Sequence, residues 1–165
     1  MLAFLLAVGT VPALSLLTVD GAPARLATSE ARATVVVFVS TVCPVSNDYA
    51  DRYVALFQNY SRSGVQFAFV YSNKTESPDD IRRHTREGRY PFPVYRDRAN
   101  VLADELGAAL TPTAYVIDQA GRIRYKGRVD DATNPVRVRD RSLENALRAV
   151  LDGRAVERPE TKAFG

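Results

Sequence analysis

Apolar residues along the chain follow two different periods, and the change from one to the other marks its elements. Ala33 to Ser40 carries Val35, Val36, Val37, Phe38 and Val39 without a break, and Val65 to Tyr71 is nearly as apolar. A strand covered on both faces has no polar side to alternate with, so both runs predict buried strands, the first of them central. After Pro44 the spacing turns helical through Val45, Tyr49, Tyr53, Phe57 and Tyr60, until Ser63-Gly64 ends the stretch. Leu143, Ala146, Leu147, Val150 and Leu151 fall at i, i+3, i+4, i+7 and i+8, an amphipathic helix that Gly153 is placed to stop.

Weaker patterns fill the intervals. Leu14 to Leu26 reads as two short strands joined at Val19-Asp20-Gly21-Ala22, because Asp-Gly supplies the positive backbone angles of a tight hairpin. Ser77-Pro78-Asp79-Asp80 opens a polar helix to about Glu87, Pro91 to Tyr95 is briefly extended, and Ala99 to Leu106 reads as helical. Thr113 to Asp118 and Arg122 to Lys126 form a hairpin about Gln119-Ala120-Gly121. Alternating strands and helices predict a three-layer α/β domain over residues 11–153, with a mostly parallel sheet and antiparallel pairing at the side of the last hairpin. Residues 154–165 read as a polar tail with no evident packing face.

The N-terminal ten residues leave two readings open. Met1 to Val8 is apolar, yet no Lys or Arg precedes Arg25, so the positive start of a secretion signal is missing. Val11-Pro12-Ala13 passes as a small-residue cleavage site, and a plain first strand fits as well. A signal remnant or extension over residues 1–10 would favour the bacterial cell envelope or periplasm over the cytoplasm. The run is too short to span a bilayer, so no firm membrane anchor is expected.

Composition changes this picture chiefly by exclusion. The 165 residues are 46% hydrophobic and 25% charged, with 9 Gly and 9 Pro, as in ordinary globular domains. Net charge is +3, but acidic residues are interspersed among the basic ones, so no stripe for nucleic acid stands out. One Cys and one His leave no internal disulfide and no usual structural zinc set. No metal and no cofactor is expected. His84, on the polar helix within Arg82-Arg83-His84-Thr85-Arg86, reads as a surface or half-packed residue of a layer element, away from any thiol chemistry.

Cys43 stands out by position. It lies where the central strand ends and a helix begins, beside backbone N–H groups that favour negative charge and hence the nucleophilic thiolate. The plain alternative is a small buried hydrophobe. Three stretches in order then carry a resemblance: Asp20-Gly21 in the hairpin, Val35 through Ser40-Thr41-Val42-Cys43-Pro44, and Leu110-Thr111-Pro112-Thr113-Ala114-Tyr115-Val116-Ile117-Asp118 with Gly121 behind it. Together they resemble the redoxin branch of the thioredoxin superfamily, the group of alkyl hydroperoxide reductase and thiol-specific antioxidant proteins.

The resemblance covers roughly Leu14 to Leu151. It implies a thioredoxin-like fold with a mixed central sheet flanked by helices and an N-terminal β-hairpin. Cys43 becomes the reactive thiol, with Pro44, Thr111 and a cis Pro112 presenting backbone to an extended substrate. The implied activity is that of a thiol oxidoreductase acting on a disulfide or hydroperoxide. The alternative is a non-catalytic module that holds extended peptides at the proline loop.

Departures from the family pattern narrow the mechanism. Where a dithiol thioredoxin has its second cysteine the chain has Ser46, so Cys43 cannot be released internally and an external thiol or partner protein must do it. Ser46 then serves either as a hydrogen-bond donor to the thiolate or as an ordinary first-turn polar residue. Ser40 and Thr41 keep hydroxyls before the cysteine, but Val36 stands where peroxiredoxins carry proline, and the Thr111-Pro112-Thr113 loop lacks their arginine. Asn47 occupies the second-cysteine position of copper-delivery relatives, against a metal role. After the last strand, Gly127-Arg128-Val129-Asp130-Asp131 offers Arg128 to steady a thiolate or anionic substrate, and Asp130 or Asp131 as a proton relay. The same run also reads as a solvated charged turn. The chain stops abruptly at Ala163-Phe164-Gly165, which leaves room for a longer natural chain with a resolving cysteine beyond it.

Overall fold

The computed structural model describes residues 10–165. Its centre is a seven-stranded sheet in the order β2-β1-β5-β4-β3-β6-β7. β3 (Ala33–Val39) is buried along its whole length, with β4 (Val65–Tyr71) parallel on one side and β6 (Thr113–Asp118) antiparallel on the other. β5 (Val94–Arg96) continues parallel from β4, β1 (Ala13–Leu17) and β2 (Pro23–Ala27) form the N-terminal hairpin, and β7 (Ile123–Gly127) returns antiparallel to β6. Among the described residues only two strand pairs are parallel, so the sheet is mixed, as the resemblance implied, rather than mostly parallel as the strand-helix alternation predicted. Hairpins at both ends add antiparallel partners that alternation does not count. The signal remnant suggested for the N-terminus falls almost wholly outside the described residues; Thr10 bridges to Arg122.

The uninterrupted apolar run of β3 feeds two cores because successive side chains point to opposite faces. Val35, Val37 and Val39 join Phe67, Phe69 and Phe92 beneath Tyr49, Tyr53 and Leu147. Val36 and Phe38 face Tyr115, Ile117 and Leu102. Helices α1 (Pro44–Asp48), α2 (Ala50–Tyr60), α3 (Pro78–Glu87) and α5 (Ser142–Leu151) supply buried residues or packed neighbours to the first core, and α4 (Val101–Leu106) to the second.

Local chemistry explains most boundaries. Gly21 takes φ +90° in the hairpin turn, where Thr18 N–H bonds Ala22 O. Ser77 and Asp80 close a reciprocal capping box at the start of α3. The expected helix from Ala99 begins two residues later, because Ala99 and Asn100 are left-handed and the buried Asp97 carboxylate accepts the N–H groups of Leu102 and Ala103 instead. The helix predicted from Pro44 is divided at Tyr49, whose N–H still bonds Ser46 O and whose carbonyl accepts Tyr53 N–H.

Residues 154–165 do have a packing face. Lys126 N–H bonds Pro159 O and Thr161 N–H bonds Lys126 O, so the tail runs parallel beside β7. The Thr161 hydroxyl lies 2.6 Å from Tyr125 Oη and accepts Arg128 N–H at 3.1 Å. Gly127, at φ +153°, permits this approach, since a Cβ there would collide with Thr161. Phe164 then packs against the first core. Hydropathy misses the segment because backbone bonds, one hydroxyl and one aromatic ring hold it.

Candidate functional site

The site lies at the carboxyl ends of β3 and β4, where parallel strands deliver their following loops side by side. The chain leaves β3 through Ser40-Thr41-Val42 and turns into α1 at Cys43, the N-cap residue. Cys43 Sγ accepts the N–H of Ser46 at 3.4 Å, and its S–H donates to Thr111 O at 3.1 Å. Register explains the second contact. Phe38 pairs with Thr113 across β3 and β6, so the residues just before Thr113 lie level with the exit from β3. The Thr111–Pro112 peptide bond there is cis, as the resemblance implied.

A hydrogen-bonded frame holds the loop. Glu76, only 6% exposed, follows β4; its Oε1 accepts Ser40 Oγ–H at 2.8 Å and also Thr41 N–H. Ser40 Oγ in turn accepts Val42 N–H at 3.3 Å. Asn47 Nδ2 donates to Thr41 O at 3.1 Å, which turns its Oδ1 toward His84 Nε2 at 2.8 Å. That oxygen can only accept, so Nε2 carries the proton, and Nδ1 accepts from the Tyr71 hydroxyl at 2.7 Å. Burial holds His84 below the ordinary imidazole value and the Tyr71 phenol above its own. His84 is half-buried as expected, but it is not remote: α3 brings it to the thiol-bearing helix.

Other predicted residues take different places. Ser46 is buried, and its hydroxyl accepts Ser40 N–H at 3.4 Å, while only its backbone N–H meets Cys43. Beside Ser46 and Cys43 lies the Tyr53 hydroxyl, fully buried, without a hydrogen-bond partner among the described residues and pushed well up by desolvation. Pro44 starts α1 and is exposed, whereas Pro112 is buried. Arg128 is held away from the thiolate role by Asp140 at 2.9 Å and Ser142 at 3.0 Å. Asp130 is 3% exposed and takes the Tyr49 hydroxyl at 2.8 Å and Arg52 at 2.6 Å, an inward ion pair rather than a solvated turn. Asp131 accepts the N–H groups of Arg139 and Asp140 and so shapes its own loop. None of these three makes a hydrogen bond to Cys43, so the relay and thiolate-steadying roles expected of them have no contact to act through.

Glu76, His84 and the tail were missed by motif reading. A polar residue in the loop after β4 is the signal that topology alone offers for Glu76, since the loops after adjacent parallel strands converge. Two exposed apolar side chains stand on the loops that carry the thiol and the cis proline: Val42 is 70% exposed and Leu110 46%. Among the described residues, no three His, Cys, Asp or Glu side chains converge as a metal site, and no helix is long and apolar enough to cross a membrane.

A thiol capping a helix, set against a cis-proline loop on a mixed sheet, defines a thioredoxin-like fold of the redoxin type. The AhpC/TSA family model matches residues 9–126, and the chain belongs to that family. Among solved structures it is similar to a conserved protein of Geobacillus kaustophilus, with 32% identity and TM-score 0.81 over 94% of this chain and 86% of that one. A hypothetical protein of Sinorhizobium meliloti 1021 aligns with 26% identity and TM-score 0.84 over 97% and 92%. A secreted disulfide oxidoreductase of Mycobacterium tuberculosis shares the fold at 15% identity and TM-score 0.61, over 85% and 95%. A search of curated proteins finds no sequence match.

Proposed function

We propose that the protein is a monothiol oxidoreductase whose single reactive group is Cys43. The observation that carries this reading is the seat of the thiol: Sγ lies between the Ser46 N–H and the Thr111 carbonyl of the cis-proline loop. The Ser46 N–H donates to the sulfur, and the loop supplies backbone for an extended disulfide substrate. The thiolate attacks one sulfur of the substrate, the substrate S–S bond breaks, and the other sulfur leaves as a thiolate. Ser46 cannot resolve the mixed disulfide, so an external thiolate attacks it and frees Cys43 with its electron pair. The partners are thus a disulfide-bearing protein and a thiol donor, and the exposed Val42 and Leu110 give both an apolar place to dock.

Disulfide exchange is favoured over peroxide reduction because Arg128 and Arg52 are both committed to carboxylates. The secreted relative with this fold supports an envelope location, where such partners occur. The test is turnover of insulin disulfides, and separately of hydrogen peroxide, with glutathione present. Insulin reduction lost in Cys43→Ser is the expected result. Extended-peptide binding that survives Cys43→Ser, with no turnover by the wild type, would establish the non-catalytic binding module instead.

A further inference from the structure

The tail that pairs with β7 reaches the cis-proline loop beside the thiol. Gly165 packs directly on the carbonyl oxygen of Thr111, close enough that a side chain there would collide with it. This is the same oxygen that accepts the Cys43 S–H. Upstream, Phe164 lines an open surface hollow with Asp131, Thr133 and Arg137, and packs against the sheet core. Thr161 fixes the approach through its hydroxyl and through its N–H bond to Lys126 O. The segment is short, exposed at Pro159, Glu160, Lys162 and Gly165, and anchored at Pro159, Thr161 and Phe164.

We propose that residues 159–165 are a strap that occupies the cis-proline ledge in cis and competes there with the extended segment of a partner. The strap admits small reagents to Cys43 and excludes peptides until it lifts. Partner recognition then includes displacement of Phe164, so the favoured partner offers an aromatic side chain to the place on the core that Phe164 leaves. This deepens the oxidoreductase reading and rests on it for the identity of the ledge, but the strap itself requires no turnover.

The test uses the full chain and a synthetic octapeptide bearing one aromatic residue and a cysteine activated as its 2-thiopyridyl disulfide. Cys43 thiolate attacks the peptide sulfur, the bond to the thiopyridyl group breaks, and pyridine-2-thione leaves with the electron pair and is read by absorbance. Thr161→Val combined with Phe164→Ala should speed this step at least fivefold while iodoacetamide alkylation of Cys43 changes less than twofold. Equal peptide rates in the two proteins overturn the strap.

If Cys43 alkylates but attacks no disulfide in either protein, the oxidoreductase reading fails and the strap is decided by hydrogen exchange. The Thr161 amide should be protected in the wild type and lose at least tenfold of that protection when an unactivated form of the peptide saturates the protein. Protection that persists at saturation refutes the strap on its own.

Discussion

Asp130 separates a structural role from a chemical one. Replacing it with Ala removes three hydrogen bonds at once: from the Tyr49 hydroxyl at 2.8 Å, from Arg52 at 2.6 Å and from Ala132 N–H at 3.2 Å. The carboxylate is 4% exposed and the Arg52 side chain 20%. Breaking a buried pair on one side costs about 3–5 kcal/mol, because a desolvated charge loses its partner. Arg52 recovers part of this, since the Asp48, Ala132 and Thr133 carbonyls still accept from it and its guanidinium still stacks 3.8 Å over the Tyr49 ring. Tyr49 recovers nothing; its buried hydroxyl loses its acceptor, at about 1–3 kcal/mol. Together these place Asp130→Ala near 4 kcal/mol. With a urea slope of about 2 kcal/mol/M, the denaturation midpoint falls by about 2 M. Asp130→Asn keeps an oxygen for Tyr49 but sets an amide N–H against Arg52, and should lose about half as much. Urea titration followed by circular dichroism gives the midpoints, and iodoacetamide labelling gives Cys43 reactivity per folded molecule, expected within twofold of wild type. A stability loss under about 1 kcal/mol would refute the buried-pair argument. A collapse of thiol reactivity at constant folded fraction would return Asp130 to a proton-relay role.

His84 gives a pH prediction. Its folded value lies below the ordinary 6.5, with burial outweighing the nearby Glu76 and Glu87, so the unfolded chain takes up a proton first. The stability that neutral His84 contributes is therefore full above about pH 6.5 and is lost as pH falls below it. His84→Gln should flatten the fall in urea midpoint between pH 7 and 5. Asp118, Asp131 and Asp140 are held below their ordinary 3.8, so their contribution survives to lower pH and disappears in a separate, more acidic window. Ser77→Ala opens the capping box of α3 and should cost about 1 kcal/mol, read as a shift in thermal midpoint; no shift would mean that the Asp80 carboxylate caps the helix alone. Leu147→Ala, at a fully buried position of α5, should cost about 2–5 kcal/mol in urea titration, a smaller loss indicating that the core collapses around the gap.

What the sequence made legible, and what it hid, follows from the range of the forces involved. β3, β4 and β6 were readable because each is buried on both faces and carries the apolar run that such burial requires. The hairpin at Gly21 and the cap at Ser77 were readable because turn and cap chemistry lies within four residues. Cys43 and Pro112 were readable as motif positions, but their contact depends on the register between β3 and β6, and no local pattern prints a register. Glu76, His84 and Asn47 were hidden for a further reason. Each makes its decisive bond to a residue more than 30 positions away, and each also has a local explanation as a loop carboxylate, a helix polar residue or a first-turn amide. The tail is the extreme case: its anchors are backbone bonds, which every residue offers equally, and a glycine whose missing side chain is read only when Thr161 is seen against it. Arg128 and Asp130 show the converse case. A charged run after a strand reads equally as a site or as a solvated turn, and only burial and register show that Asp130, 3% exposed, accepts from Tyr49, Arg52 and the Ala132 N–H.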